Sequence, residues 1–508
     1  MKIKNILTLS AVVFFTAFNL FSQINKVSVT LGPELRKPSK TYIETMLGNI
    51  EDNFYVIRSK NASLFSSKIE LSLEVYTPQM DLKKTYPITF KDEKLKLHSF
   101  ELLKGTIYCF YTKYEESGHN VFYVSEISTT GKIGNPKKVV SVKVEGKKDL
   151  NSFKLRISPD TTKIMIASIP DYQKKADQFV DMYATDLDFE EVEKITIEFS
   201  YKSKDFSFHS FTVDNVGNMH ILAQVRKAQK AKKESAFEYK IFTYFAETEE
   251  FYDYNVDFDK NYMSEVVLRI DKDNNIVCSG FYSDNNSFST KGIFYLKLNT
   301  KTKEIEVQKT NDFDKKFLSF FMSEKKADKG KPLYNMVVRD LLIKEDGGLY
   351  FIAENYYIRE VTTTDQNGRT STTYYYHYND VIVADISKEG KVNWWTVVPK
   401  YQVSANDGGP YSSIAWGVSE NNLHIVFNEN KKNAEILQPD KVKSVRFKKS
   451  VTVLVTFDSK GKAKKTALFP AKDGKTLTMP KVHVNSSFNE LIMLAQVGKN
   501  YRFVKLNL

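Results

Sequence analysis

Little in this sequence serves flexibility or covalent crosslinking. Its 508 residues include 21 glycines, 13 prolines, 2 cysteines, 3 tryptophans and 7 histidines. So few glycines and prolines leave no material for long flexible linkers. Two cysteines cannot staple a disulfide-rich scaffold. Cys109 (in TIYCFY) and Cys278 (in NIVCSGF) each lie inside an apolar, strand-like run. Two buried, unpaired thiols are the expectation, with pairing in an oxidising compartment as the alternative. Beyond the N-terminal stretch, no apolar run approaches the ~20 residues of a membrane-spanning helix. Also missing are a Gly-x-Ser-x-Gly elbow, a His-Glu-x-x-His helix and a phosphate-binding glycine loop. Those absences argue against an enzyme and against any cofactor or metal centre.

What remains is a globular composition, 42% hydrophobic and 27% charged, with a net charge of +12. The N-terminus reads as an export signal over residues 1–23. Lys2 and Lys4 precede an apolar run from Ile6 to Phe21, and Ser22 offers a small residue at the cleavage point. No cysteine stands near that point, which argues against a lipid anchor. Removing the two lysines would leave a charge of about +10, a surface that attracts polyanions. Outside the cytoplasm these are acidic glycans and lipid headgroups, and nucleic acid is not an expected partner. A periplasmic, outer-membrane-associated or extracellular monomer is expected, with peripheral attachment to the envelope open.

From Thr41 onward one grammar recurs: four short runs of β-branched and aromatic residues, bounded by turn residues. The clearest unit is Phe208–Asp214, Met219–Arg226, Tyr239–Phe245 and Phe251–Phe258. Units begin near Tyr42, Leu97, Phe153, Phe208, Glu265, Met336, Ser412 and Val482, with a period of about 50–60 residues. Four strands at this spacing predict an all-β fold, a β-propeller of eight blades, with seven as the alternative. The last unit supplies only three strands. Lys26–Leu31 is expected to add the fourth and remove a free sheet edge, making residues 24–508 one domain. Residues 312–335 break the pattern. The spacing of Phe313, Phe317, Phe320 and Phe321 predicts a short helix packed between the fifth and sixth blades.

The long insertions fall between second and third strands, at Pro170–Phe179, Lys227–Glu238, Ile358–Tyr378 and Asn428–Ser450. All should emerge on one face, together with the blade-to-blade connections. In the sixth blade, Asn367-Gly368 predicts a two-residue hairpin turn with both residues at positive φ. Tyr356, Tyr357, Tyr374, Tyr375 and Tyr376 would form the base of a projecting hairpin, each offering a flat apolar face and a hydroxyl. Lys400, Gln402 and Asp407 follow on a connection at the same end. With those tyrosines they are the candidate ligand-binding residues, assisted by basic loops around Lys230 and Lys448. Asp407-Gly408-Gly409-Pro410 reads equally as a plain turn.

Several of these residues form a recognisable set. Glu354-x-Tyr356-Tyr357, Tyr378-x-Asp380-Val-Ile-Val, Gly390 with Trp394, Pro399-Lys400-x-Gln402 and Asn406 to Ser413 together resemble secreted β-propeller proteins of Gram-negative bacteria without an assigned function. SPDTTKIMI (Ser158 to Ile166) is similar to the strand-turn-strand signature of TolB-like propellers. The resemblance implies a fold and a compartment but no reaction. The expected function is therefore a binding or scaffolding module for a polyanionic, glycan or protein ligand of the envelope. A carbohydrate-active enzyme with paired carboxylates in the funnel is the alternative, and a purely structural envelope component is a third reading. His98, His209 and His483 fall in first strands, where three histidines could in principle meet in the channel. Their separation around the ring argues against a shared metal.

Overall fold

The computed structural model describes residues 27–508 except 61–69, 91–94, 147–151, 228–235, 259–261, 285–288, 421, 440–441, 470–475 and 488. The expected signal at 1–23 and the loop around Lys230 lie outside the described residues.

Runs of β-branched and aromatic residues form eight antiparallel sheets of four main strands among the described residues, two of them extended by a short fifth strand (Leu35–Arg36 and Gln402–Ala405), beside one two-stranded pairing of Ser289–Thr290 with Leu333–Tyr334. In chain order they run from Thr41 to Ile88, Leu95 to Lys143, Ser152 to Lys202, Phe206 to Val256, Tyr262 to Asp312, Met336 to Val398, Ala415 to Ala467, and Thr476 to Asn507. The fourth strand of sheet eight is Ser28–Leu31, which pairs antiparallel with the final strand, Val29 opposite Leu506. The chain is a β-propeller whose last sheet is completed by an N-terminal strand.

One local device sets many of the turns. Asp214 Oδ1 accepts hydrogen bonds from Val216 N and Asn218 N (3.1 and 2.8 Å). Asp271 Oδ1 does the same for Asp273 N and Asn275 N (2.9 and 2.8 Å). A side chain that mimics the backbone in this way fixes a tight turn by itself. The hairpin tip of sheet six uses it too, and so departs from the expected two-residue turn. Asp365 Oδ1 holds Asn367 N and Arg369 N, both at 2.9 Å. Only Gly368 is left-handed, at φ 75°, which makes a type I turn followed by a bulge.

The core is distributed between sheets. Each of eight apolar clusters joins two consecutive sheets. The cluster of Phe54, Tyr76, Tyr501 and Phe503 joins the eighth to the first. A sheet buried on both faces needs near-continuous apolar strands, as in Ile276–Ser283, buried throughout. Cys109 and Cys278 are free and buried in these strands. First strands of neighbouring sheets approach one another, and those of sheets three to seven line a central cavity of about 700 Å³.

The insert after sheet five holds two one-turn helices, Lys315–Leu318 and Glu324–Ala327, instead of one. Ser323 adopts an extended conformation and breaks the run. Phe313 and Phe317 stack at 4.4 Å and pack on Trp395 of sheet six. Phe320, by contrast, is exposed.

Candidate functional site

The insertions of sheets three, six and seven fall between second and third strands, as expected, and residues 228–235 of that in sheet four lie outside the described residues. In sheet six the second and third strands, Leu349–Thr364 and Thr370–Ile386, run on far past the sheet as a long hairpin. The short strand Gln402–Ala405 pairs with Tyr375–Tyr378 and stiffens the base of this hairpin. Strand alternation then sorts the tyrosines onto two faces.

On one face, Arg359 lies over the ring of Tyr375 (5.1 Å), Tyr357 stacks on His377 (4.3 Å), and Asn379 Nδ2 donates to Asn355 Oδ1 (3.2 Å). On the other, Tyr356 packs on Tyr378 (4.7 Å), with the Arg339 guanidinium over both rings. Tyr374 is 43% exposed, and Ile358 and Tyr401 are similarly open. Tyr375 and Tyr376 are half-buried. Burial lowers the basicity of His377, as does the neighbouring Arg359 charge.

Lys400 and Gln402 are placed differently from the expectation of a surface recognition cluster. Both are buried, at 1% and 0% exposure. Lys400 Nζ donates to Glu354 Oε1 (2.6 Å), Tyr378 O (3.0 Å) and Gln402 Oε1 (3.1 Å). Glu354 Oε2 accepts from Arg339 Nε (2.7 Å) and Ser413 Oγ (2.8 Å). Gln402 Nε2 donates to Asn428 O (2.8 Å), tying sheet six to sheet seven. Burial pushes the Lys400 pKa down while Glu354 pulls it back up. A buried charge survives only when its partners are this complete. These two residues therefore build the floor of the site.

Asp407 is exposed, and its Oδ1 accepts from Gly409 N (2.8 Å), so it forms the plain turn that its sequence also suggested. Gly409, at φ 65°, lies so close to Tyr378 that a Cβ would sit 2.6 Å from the ring. Lys448 is exposed on the insert of sheet seven.

Sequence reasoning passed over three contributors. Arg339 neutralises Glu354, Lys481 Nζ donates to Gly408 O (2.9 Å) and Tyr378 Oη (3.2 Å), and Ser413 completes the carboxylate shell. A charged residue in the innermost strand of an otherwise apolar unit, as in MVVRD, was the available signal for Arg339. Buried polar atoms without hydrogen bonds also gather here: both ring nitrogens of His377, Asn379 Oδ1, Ser404 Oγ and Ser412 Oγ. Such groups call for a ligand or water partner.

His98, His209 and His483 lie on the first strands of sheets two, four and eight. His220 and His424 are buried in second strands, bonded to Thr243 Oγ1 and Thr456 Oγ1, each at 3.1 Å. Among the described residues no group of three metal-ligating side chains comes together, and no helix is long and apolar enough to cross a membrane.

No protein-family profile and no curated protein matches the sequence. Solved structures similar to it include the β-propeller domain of the trilobed protease from Pyrococcus furiosus. The two share 11% identity at a TM-score of 0.36, covering 85% of this chain and 99% of that one. The WD40 domain of SCAP from fission yeast shares 7% identity at a TM-score of 0.36, covering 95% and 98%. Prolyl oligopeptidase B from Galerina marginata shares 9% at 0.39, covering 90% and 56%.

Proposed function

We propose that this propeller is an exported, non-catalytic binding or scaffolding module that takes an envelope glycan or protein on its insert-bearing face. The observation that carries this reading is the sheet-six hairpin. It extends well past its sheet, is braced by a third strand, and presents Tyr374 and Ile358 on a stiff support. Rigid aromatics bind at low entropic cost, because little remains to be ordered. The cluster of unpartnered polar atoms at its base suits a ligand rich in hydroxyl or amide groups.

The two fully buried carboxylates beneath the hairpin are committed to ion pairs. Glu354 and Glu429 are both fully buried and paired with Lys400 and Lys465 (2.6 and 2.7 Å). A general acid or nucleophile must keep an oxygen free for substrate. The test is binding of the purified protein to a glycan array and to envelope extracts, compared with Tyr374→Ala and Tyr375→Ala. Losing a stacked ring should weaken binding by roughly tenfold. Binding unchanged in both variants would remove the hairpin from consideration.

A further inference from the structure

We propose a second site on this protein: the cavity at the insert-face end of sheet one binds a carboxylate-bearing amphiphile of the fatty-acid type. It is independent of the hairpin surface.

The cavity has a volume of about 1100 Å³, just above the range for small-molecule sites, about 300–1,000 Å³. Its walls are mainly apolar and include Leu35, Leu71, Leu82, Ile88, Phe90 and Leu97. They come from sheet one, the first strand of sheet two and the connection that follows the N-terminal strand. Leu71 is closed off in the core, whereas Leu82 is exposed. Among the described residues the cavity thus runs from an apolar depth to an exposed rim.

Charge is distributed unevenly around it. Four lining residues are cations, Arg36, Arg58, Lys60 and Lys96, against two acids, Glu70 and Glu74. Lys60 and Glu70 pair with each other at the exposed rim (2.9 Å). Glu74 has both oxygens engaged, Oε1 by Arg58 Nε and Oε2 by Tyr76 Oη, each at 2.6 Å. Arg58 is 4% exposed, and its guanidinium lies 4.7 Å from the centre of the Tyr501 ring. Its Nη1 reaches Thr41 Oγ1 at 3.5 Å, and its Nη2 makes no hydrogen bond among the described residues. A guanidinium has five donors, so one carboxylate rarely exhausts it.

One buried cation with a spare donor, excess positive charge at the mouth and apolar walls match one anionic head on one apolar chain. A neutral lipid would leave Arg58 as it is. A polyanion would have no use for the leucines.

The experiment is titration of the purified protein with cis-parinaric acid, an intrinsically fluorescent fatty acid, followed by displacement with palmitate or with 1-hexadecanol. Saturable one-site binding is expected, with palmitate displacing the probe at least tenfold more effectively than the alcohol. Leu97→Trp, which fills the cavity, should weaken probe binding at least tenfold. Arg58→Met should abolish the preference for palmitate. Lys96→Glu, an exposed rim change that does not threaten the fold, should weaken palmitate severalfold and leave hexadecanol unchanged. Absence of saturable binding, equal displacement by acid and alcohol, or unaltered affinity in both Leu97→Trp and Lys96→Glu would overturn the proposal. Because the hairpin variants of the preceding section leave this cavity intact, the two sites fail or survive separately.

Discussion

Replacing Lys400 by methionine tests whether the floor of the site is structural. Methionine keeps most of the volume and removes the ammonium. Glu354 Oε1 then loses its 2.6 Å partner and Tyr378 O loses one at 3.0 Å, whereas Gln402 Oε1 keeps Ser413 N at 2.8 Å. Two acceptors in a dry interior are left short, at about 1–3 kcal/mol each. The carboxylate also becomes a buried charge lacking one of its two cations. Breaking a buried pair from one side costs about 3–5 kcal/mol, consistent with that sum. This is a large share of the roughly 5–15 kcal/mol by which domains are stable. Adding Glu354→Gln removes the stranded charge. Arg339, whose side chain is 22% exposed, can then turn to water. The double variant should therefore recover about 1–3 kcal/mol relative to Lys400→Met alone. Guanidinium unfolding followed by circular dichroism reads both effects. If Lys400→Met stays within about 1 kcal/mol of the natural protein, as an exposed pair would, the reasoning fails. Lys400 would then return to the list of ligand contacts.

Two further outcomes follow from other parts of the ring. Burial holds the His424 pKa at about 4, below its ordinary value of 6.5. The folded state therefore binds fewer protons than the unfolded one between those values. His424 contributes its full share of stability above pH 6.5 and loses it as the pH falls toward 4, by up to roughly 3 kcal/mol. Unfolding midpoints at pH 7 and 4.5 should converge in His424→Gln, and an unchanged gap would refute the assignment. Gly461 has φ 76°, and a Cβ there would sit 2.3 Å from the Trp394 ring. Gly461→Ala should cost about 2–4 kcal/mol from backbone strain plus overpacking. Gly105→Ala, equally left-handed at φ 81° but with nothing within 4 Å, should cost only about 1 kcal/mol. Equal losses in the two variants would show that the tryptophan contact is irrelevant.

Much of the architecture could be read from local pattern. A strand buried on two faces must be apolar along its length, and turns declare themselves through Asp, Asn and Gly, so the quartets from Thr41 onward were visible. So was the lone strand near Val29, left to complete sheet eight. The hairpin of sheet six was legible for the same reason, although Asp365 imposed a different turn. The two-helix insert was only half visible, because the extended conformation of Ser323 leaves no mark in the phenylalanine spacing.

The sequence by itself determined where the chain reverses and which runs form strands, both of which depend on neighbours a few residues away. Only the tertiary structure decided which charges are dry. Lys400 finds Glu354 46 positions away, and Arg58 meets the ring of Tyr501 from the opposite end of the chain. The cost of burying an ion depends on every atom around it. A lysine on a connection therefore looks the same in sequence whether it greets a ligand or holds two sheets together.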